Sequence, residues 1–158
     1  GIALSKAGSR PEALLKLMKL TGLRATVFYK NINQDLLSRN LDRDRALVAS
    51  NGASLPINAR AVKHDRFTNT FPRFLEIVLR SKALSLAQAI RKITSEAAEK
   101  FGVARRGLVK EGYFADLSLI SARSGQVRVL HVFVNGQPAV QGGQLLPLLS
   151  GKVLRSNL

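Results

Sequence analysis

The chain changes texture once, near Arg105 to Gly107, and that change limits the folds open to it. Upstream, apolar residues recur at helical spacing between short continuous runs. Downstream, they alternate between turn signals. Such an order predicts an α/β part over residues 1–106 and an antiparallel β part over 107–158.

The upstream part reads in detail. Pro11 to Leu20 predicts a helix, with Ser9 as N-cap, Pro11 in the first turn and Gly22 at the stop. Leu14, Leu15, Leu17 and Met18 form its expected apolar face. Arg24 to Tyr29 is rich in β-branched and aromatic residues and predicts a strand. Gln34 to Leu41 predicts a short amphipathic helix. Ala46 to Ala49 is a continuous apolar run, as expected of a strand buried on both faces. Strand, helix, strand over this length makes a βαβ unit, so the two strands are expected to be parallel neighbours.

Ser50 to Asn69 then runs polar for 20 residues, which is long for a plain connection. Ligands in parallel α/β folds bind at the carboxyl ends of strands, so a site is expected on this loop. Phe71 to Leu79 predicts a helix. Ser85 caps a longer one, with Leu86, Ile90, Ile93, Ala97 and Phe101 on one face as core and Gly102 behind it.

Downstream, Phe114 to Ile120 predicts one strand and Gln126 to Val134 a second, with Val127, Val129, His131 and Phe133 on one face. Asn135-Gly136 is a type I′ hairpin signal. Pro138 to Gln141 returns, Gly142-Gly143 turns again, and Gln144 to Leu149 adds a short strand.

Composition closes several routes. There is no cysteine, which excludes disulfides, thiolate metal sites and cysteine nucleophiles. The two histidines, His64 and His131, lie 67 positions apart. No apolar run reaches the 18 or so residues of a membrane span, and residues 1–9 do not read as a signal peptide, so a cytoplasmic location is expected. The formal charge is +15, from 25 basic and 10 acidic residues. The basic residues are spread evenly, 9, 9 and 7 over residues 1–50, 51–100 and 101–158, and aromatics are 6% with no Trp. That spread argues against a dedicated nucleic-acid arm and leaves such binding the weakest of the readings.

Several phrases in one order resemble one family. They are His64-Asp65-Arg66, Thr70-Phe71-Pro72-Arg73, Leu84-Ser85-Leu86, Ala89-Ile90-Arg91-Lys92, Thr94-Ser95 and Phe101-Gly102-Val103. Arg106-Gly107, Glu111-Gly112-Tyr113-Phe114-Ala115-Asp116-Leu117, Val134-Asn135-Gly136 and Gly151 to Arg155 follow. Together they look like the C-terminal part of an N-acyl-D-amino-acid deacylase, a D-aminoacylase of the metal-dependent amidohydrolase superfamily. The resemblance implies the last strands and helices of a (β/α)₈ TIM-like barrel, then the C-terminal share of a small β-sandwich. On it, residues 24–29 and 46–49 would be the last two barrel strands. A barrel takes about 250 residues, so most of it would lie elsewhere, with the remainder of the barrel or an oligomer partner. The implied cofactor is zinc in the complete enzyme, with none expected for this chain alone. The family's His-x-His pair has no counterpart here, and neither histidine sits in a matching ligand motif.

The implied substrate is a small N-acyl-D-amino acid, cleaved at its amide. The family carries Ser-Asp-Gly at the end of the last barrel strand, where the Asp is metal-contacting and the general base. Here the matching residues are Ser50-Asn51-Gly52. A carboxamide does not take up a proton at neutral pH. Losing a positioned general base costs about 10²–10⁴-fold in rate. Asn51 is therefore the candidate catalytic position, in an impaired form. Arg66 and Arg73 are candidates for binding the substrate carboxylate, because a guanidinium can hold one through two parallel hydrogen bonds. His64 is a further substrate-binding candidate on the same loop. Asp65 in place of Pro, Asn69 in place of Gly and Ala97 in place of Pro depart from the family pattern. With Ala97, the helix after Ser85 is expected to run straighter. His131 and Asp116 read as structural.

Overall fold

The computed structural model describes residues 10–24, 32–41, 43–51 and 64–154. They fall in two compact units, Gly1–Ile32 and Asn33–Leu158.

The first unit holds α1 (Arg10–Leu20). It closes where Gly22 predicts. Gly22 has φ 55°, its N–H reaches the Lys19 carbonyl, and the Leu23 N–H reaches Met18 at 2.9 Å. The buried stripe differs from the expected face. It runs through Ala13 and the half-buried Leu17, one turn apart, and leaves Leu14, Leu15 and Met18 exposed. Ser9 and nearly all of the 24–29 strand lie outside the described residues.

The second unit starts with α2 (Gln34–Leu41). Asn33 fixes its start, because its side-chain oxygen accepts from the N–H groups of Asp35 and Leu36 at 2.9 and 3.1 Å. Later come α3 (Thr70–Ser81), α4 (Leu86–Ile93) and α5 (Ser95–Lys100). Four antiparallel strands complete the unit in the order of the chain: β1 (Leu117–Arg123), β2 (Gln126–Val134), β3 (Gln137–Gln141) and β4 (Gln144–Leu145). The core joins Phe74, Leu75 and Val78 of α3 to Ala89 of α4 and Val127 of β2. The texture change at 106/107 marks the passage from helix to sheet, and α3 packs across it onto β2.

Four expectations are corrected. First, Ala46 to Ala49 forms no strand, and no parallel pair occurs among the described residues. A strand needs a neighbour to take its carbonyls. Here the Ala46 carbonyl accepts from the buried ammonium of Lys92 at 3.2 Å, and the Ala46 N–H goes back to Arg43. Val48 still packs against the core, as an apolar run should.

Second, the long helix after Ser85 is two helices. Ser85 and Gln88 form the reciprocal capping box that starts α4. At Thr94 the backbone leaves helical values, with φ −131° and ψ −93°, and the hydroxyl donates to the Ile90 carbonyl at 2.7 Å. The break turns the downstream residues off the stripe. Phe101 is 73% exposed, while Ala89 and Lys92 are buried.

Third, the first β-strand begins at Leu117 rather than Phe114. Phe114 instead lies under two guanidinium groups, 4.3 Å from that of Arg106 and 4.8 Å from that of Arg105.

Fourth, Val127, Val129, His131 and Phe133 do not share one face. The register shifts between Leu119 and Ile120, leaving Leu130 of β2 unpaired with β1. One extra residue reverses which side chains face inward. Val127 and Val129 are covered, then Val132 and Val134, and Phe133 is exposed.

The turns match the sequence. Asn135-Gly136 has φ 50° and 81°, as a type I′ turn requires, and Gly142-Gly143 also has both φ positive. Ser124-Gly125 makes a third such turn, with φ 50° and 73°.

Candidate functional site

Asn51 ends the segment 43–51 and is exposed. Lys92 holds the root of that segment. Its Nζ donates to the carbonyls of Arg43 and Ala46, at 2.5 and 3.2 Å, and the side chain is 4% exposed.

His64 opens a 3₁₀ turn, Asp65–Phe67, and its Nδ1 accepts from the Arg66 N–H at 3.1 Å. The turn leads into α3 without slack. The Asn69 N–H reaches Asp65, the Thr70 hydroxyl reaches the Arg66 carbonyl, and the Arg73 N–H reaches Asn69, all within 2.9 Å. His64 and Arg66 therefore share one turn, fixed to the start of a core helix. Both side chains are exposed, and Arg66 has no ion pair among the described residues.

Arg73 is placed differently. It lies on α3 and pairs with Glu76 at 3.2 Å. Glu76 also faces Arg80 at 3.8 Å and accepts from the Val127 N–H at 3.3 Å. The Val127 N–H does most to hold the Glu76 carboxyl below its usual range. Desolvation opposes it, and Arg73 and Arg80 add to it. Glu76 was missed in the sequence. Its signal was there: Arg73, Glu76 and Arg80 stand at helical spacings of three and four.

The strongest family phrases downstream meet in one network. Asp116 pairs with Arg106 through Oδ2 and accepts from the Asn135 N–H through Oδ1 at 2.7 Å. Arg106 also donates to Asn135 Oδ1 at 2.7 Å, and Asn135 Nδ2 donates to the Ser150 carbonyl at 2.7 Å. Every charge here is answered within the fold, so Asp116 is structural, as the sequence reading had it. Beside it, Gly107 has φ 81°. A Cβ there would lie 2.8 Å from both Ala98 Cβ and the Thr94 carbonyl. His131 is half-buried in β2.

The residues present do not fit a metal centre by themselves. Among the described residues no three His, Asp or Glu side chains group as ligands. His64 already spends Nδ1 on a backbone N–H, and Asn51 offers a neutral carboxamide. A cavity of about 650 Å³ opens between residues 44–47 and the α4–α5 pair. It takes in none of Asn51, His64, Arg66 and Arg73. Arg45, Arg91, Lys92 and Lys100 share its wall with Asp44, Glu96 and Glu99, and Arg91 and Glu96 already pair at 3.3 Å. It is a seam between α4–α5 and the 44–47 segment. No helix among the described residues is long and apolar enough to cross a membrane.

Comparison with known proteins gives the context of this geometry. Residues 14–139 match the amidohydrolase family. An N-acyl-D-aspartate deacylase of Alcaligenes xylosoxydans xylosoxydans is 35% identical over 96 residues, which are 60% of this chain and 18% of that protein. A D-aminoacylase of the same organism is 31% identical over 143 residues, which are 82% of this chain and 29% of that protein. A solved D-aminoacylase structure is 28% identical, covers 54% of this chain and 21% of its own, and gives a TM-score of 0.47. The chain spans less than a third of the length of these relatives.

Proposed function

Because this chain belongs to the amidohydrolase family, we propose that it supplies part of a hydrolase that cleaves the amide of N-acyl-D-amino acids. The observation behind this reading is its similarity to two relatives whose names place them in that chemistry. The barrel strands, the sandwich and the zinc of the complete enzyme belong to the proposal as well. So does a partner, the remainder of the barrel or another subunit, that would complete the metal ligands.

The site residues then take these roles. Arg66 holds the substrate carboxylate, since its guanidinium is exposed and held in a fixed turn. Arg73, in the first turn of α3, is a second cation, partly engaged by Glu76. His64 fixes the turn through its Nδ1. Asn51 occupies the general-base position and does not take up a proton, so the chain binds substrate and turns it over poorly.

The test is Asn51→Asp in the full-length protein, assayed on N-acetyl-D-amino acids. Restoring the carboxylate is expected to raise hydrolysis by about 10²–10⁴-fold. No gain, with substrate binding intact, would remove Asn51 from the catalytic position.

A second reading is a subunit or remnant that binds without catalysing. The neutral Asn51 favours it. Wild-type protein that binds an N-acetyl-D-amino acid without measurable hydrolysis would select it.

A further inference from the structure

The Ala89-Ile90-Arg91-Lys92 phrase has no part in the reading above, yet it holds a buried cation. Lys92 is 4% exposed and has no carboxylate partner among the described residues. Taking an ammonium out of water is costly unless its protons are answered. Here two backbone carbonyls answer them, those of Arg43 and Ala46, at 2.5 and 3.2 Å.

The two ends of this clamp are unequal. Lys92 sits on α4, whose start is fixed by the Ser85–Gln88 capping box and whose Ala89 is fully buried against α3. Residues 43–51 have no regular structure. They are held by the Ala46 N–H to Arg43 bond, by Val48 against the core, and by Lys92. The rigid end therefore fixes the irregular one. Five residues beyond Ala46 stands Asn51. Charge suits this task, because hydrogen bonds from an ammonium to carbonyls are stronger than those between neutral groups.

We propose that Lys92 is a positioning residue that fixes residues 43–46, and through them Asn51, against the core helices. The inference rests on the reading of Asn51 as a site residue. It assigns the Ala-Ile-Arg-Lys phrase a role by which α4 reaches the site without touching substrate. Lys92 acts from behind the segment, so its loss shows as a misplaced Asn51 rather than a lost contact.

The test is Lys92→Met in the full-length protein, with two measurements. One is limited trypsin cleavage after Arg43 and Arg45, with cleavage after Arg123 as the internal reference. The other is the affinity for N-acetyl-D-aspartate. Methionine keeps much of the length and the burial but removes all three donors. Cleavage after Arg43 and Arg45 is expected to rise about tenfold, because proteolysis follows the population of the opened segment. Affinity is expected to fall about tenfold, because the Asn51 carboxamide at the general-base position would also hydrogen-bond the bound amide and loses that contact when the segment moves. Lys92→Arg, which keeps donors, is expected to recover part of both.

Unchanged cleavage overturns the clamp. Raised cleavage with unchanged affinity makes Lys92 a local fastener only and overturns the positioning role. If cleavage rises equally after Arg123, the whole fold has loosened, and Lys92→Arg then decides by the same two measurements. Failure of wild-type protein to bind any N-acetyl-D-amino acid defeats the functional reading instead, and the positioning role falls with it.

Discussion

Two regions of this molecule use arginine in opposite ways. Along α3, Arg73 and Arg80 share the carboxylate of Glu76 and are 59% and 58% exposed. At the sheet, Arg106 is 12% exposed and is engaged by Asp116, by Asn135 and by the Phe114 ring. The first region has guanidinium capacity left over, and Arg66, in the turn before α3, has no ion pair among the described residues. The second has none. Both carry strong family phrases. Strength of motif therefore does not separate a binding surface from a structural joint. What separates them is whether the fold already answers each charge.

The comparison is broken most severely at Gly107. Gly107→Ala places a Cβ against the Thr94 carbonyl at a positive φ, in a packed corner where neither neighbour can yield cheaply. Strain and overpacking together are expected to cost about 3 kcal/mol, read as a lower urea midpoint with unchanged slope. Next comes Asp116→Ala, which leaves a mostly buried Arg106 without its carboxylate and the Asn135 N–H without its acceptor. We expect a loss of about 2 kcal/mol by the same measurement, since hydrogen bonds to charged groups are the strong ones. If Asp116→Ala were neutral for stability, the network would not be the joint described here.

Sequence logic reached the local structure and stopped at the tertiary choices. The Asn135-Gly136 turn was legible because only positive φ suits it. The Ser85 cap was legible because its chemistry is local. Ala46–Ala49 reads as a strand because it is apolar. Its carbonyl went instead to Lys92, 46 positions away, a partner no local pattern names. The alternation in β2 failed at one extra residue, Leu130, whose bulge has no compositional mark. Of the site, His64 and Arg66 read only as residues of a long polar loop, and the 3₁₀ turn that holds them is closed by backbone bonds that no side-chain pattern marks. Glu76 had a local signal in its spacing to Arg73 and Arg80, but its bond from the Val127 N–H comes from the sheet and left no mark.

Glu76 sharpens the comparison through pH. Its folded-state pKa is depressed, so the stability it contributes is present above the unfolded-state value. That stability is lost as pH falls through the folded-state value. The expected result is a fall in Tm on acidification that Glu76→Gln reduces. An identical pH dependence in wild type and variant would place the acid-labile groups elsewhere.

The smallest effect on stability is expected where the effect on function is largest. Arg66 is exposed, and its guanidinium holds no partner among the described residues, so Arg66→Ala should change stability by no more than about 0.5 kcal/mol. The same change removes the cation proposed to hold the substrate carboxylate. Arg73→Ala, by contrast, frees Glu76 from a surface pair, and such pairs are worth about 0–1 kcal/mol. Binding of N-acetyl-D-aspartate by isothermal calorimetry separates the two. Arg66→Ala should weaken it about tenfold or more, as loss of a charge-assisted contact does, with Arg73→Ala weaker in effect. Equal affinity in wild type and Arg66→Ala would move the carboxylate elsewhere. The exposed arginine would then be a surface charge, and the contrast between the two regions would be one of burial alone.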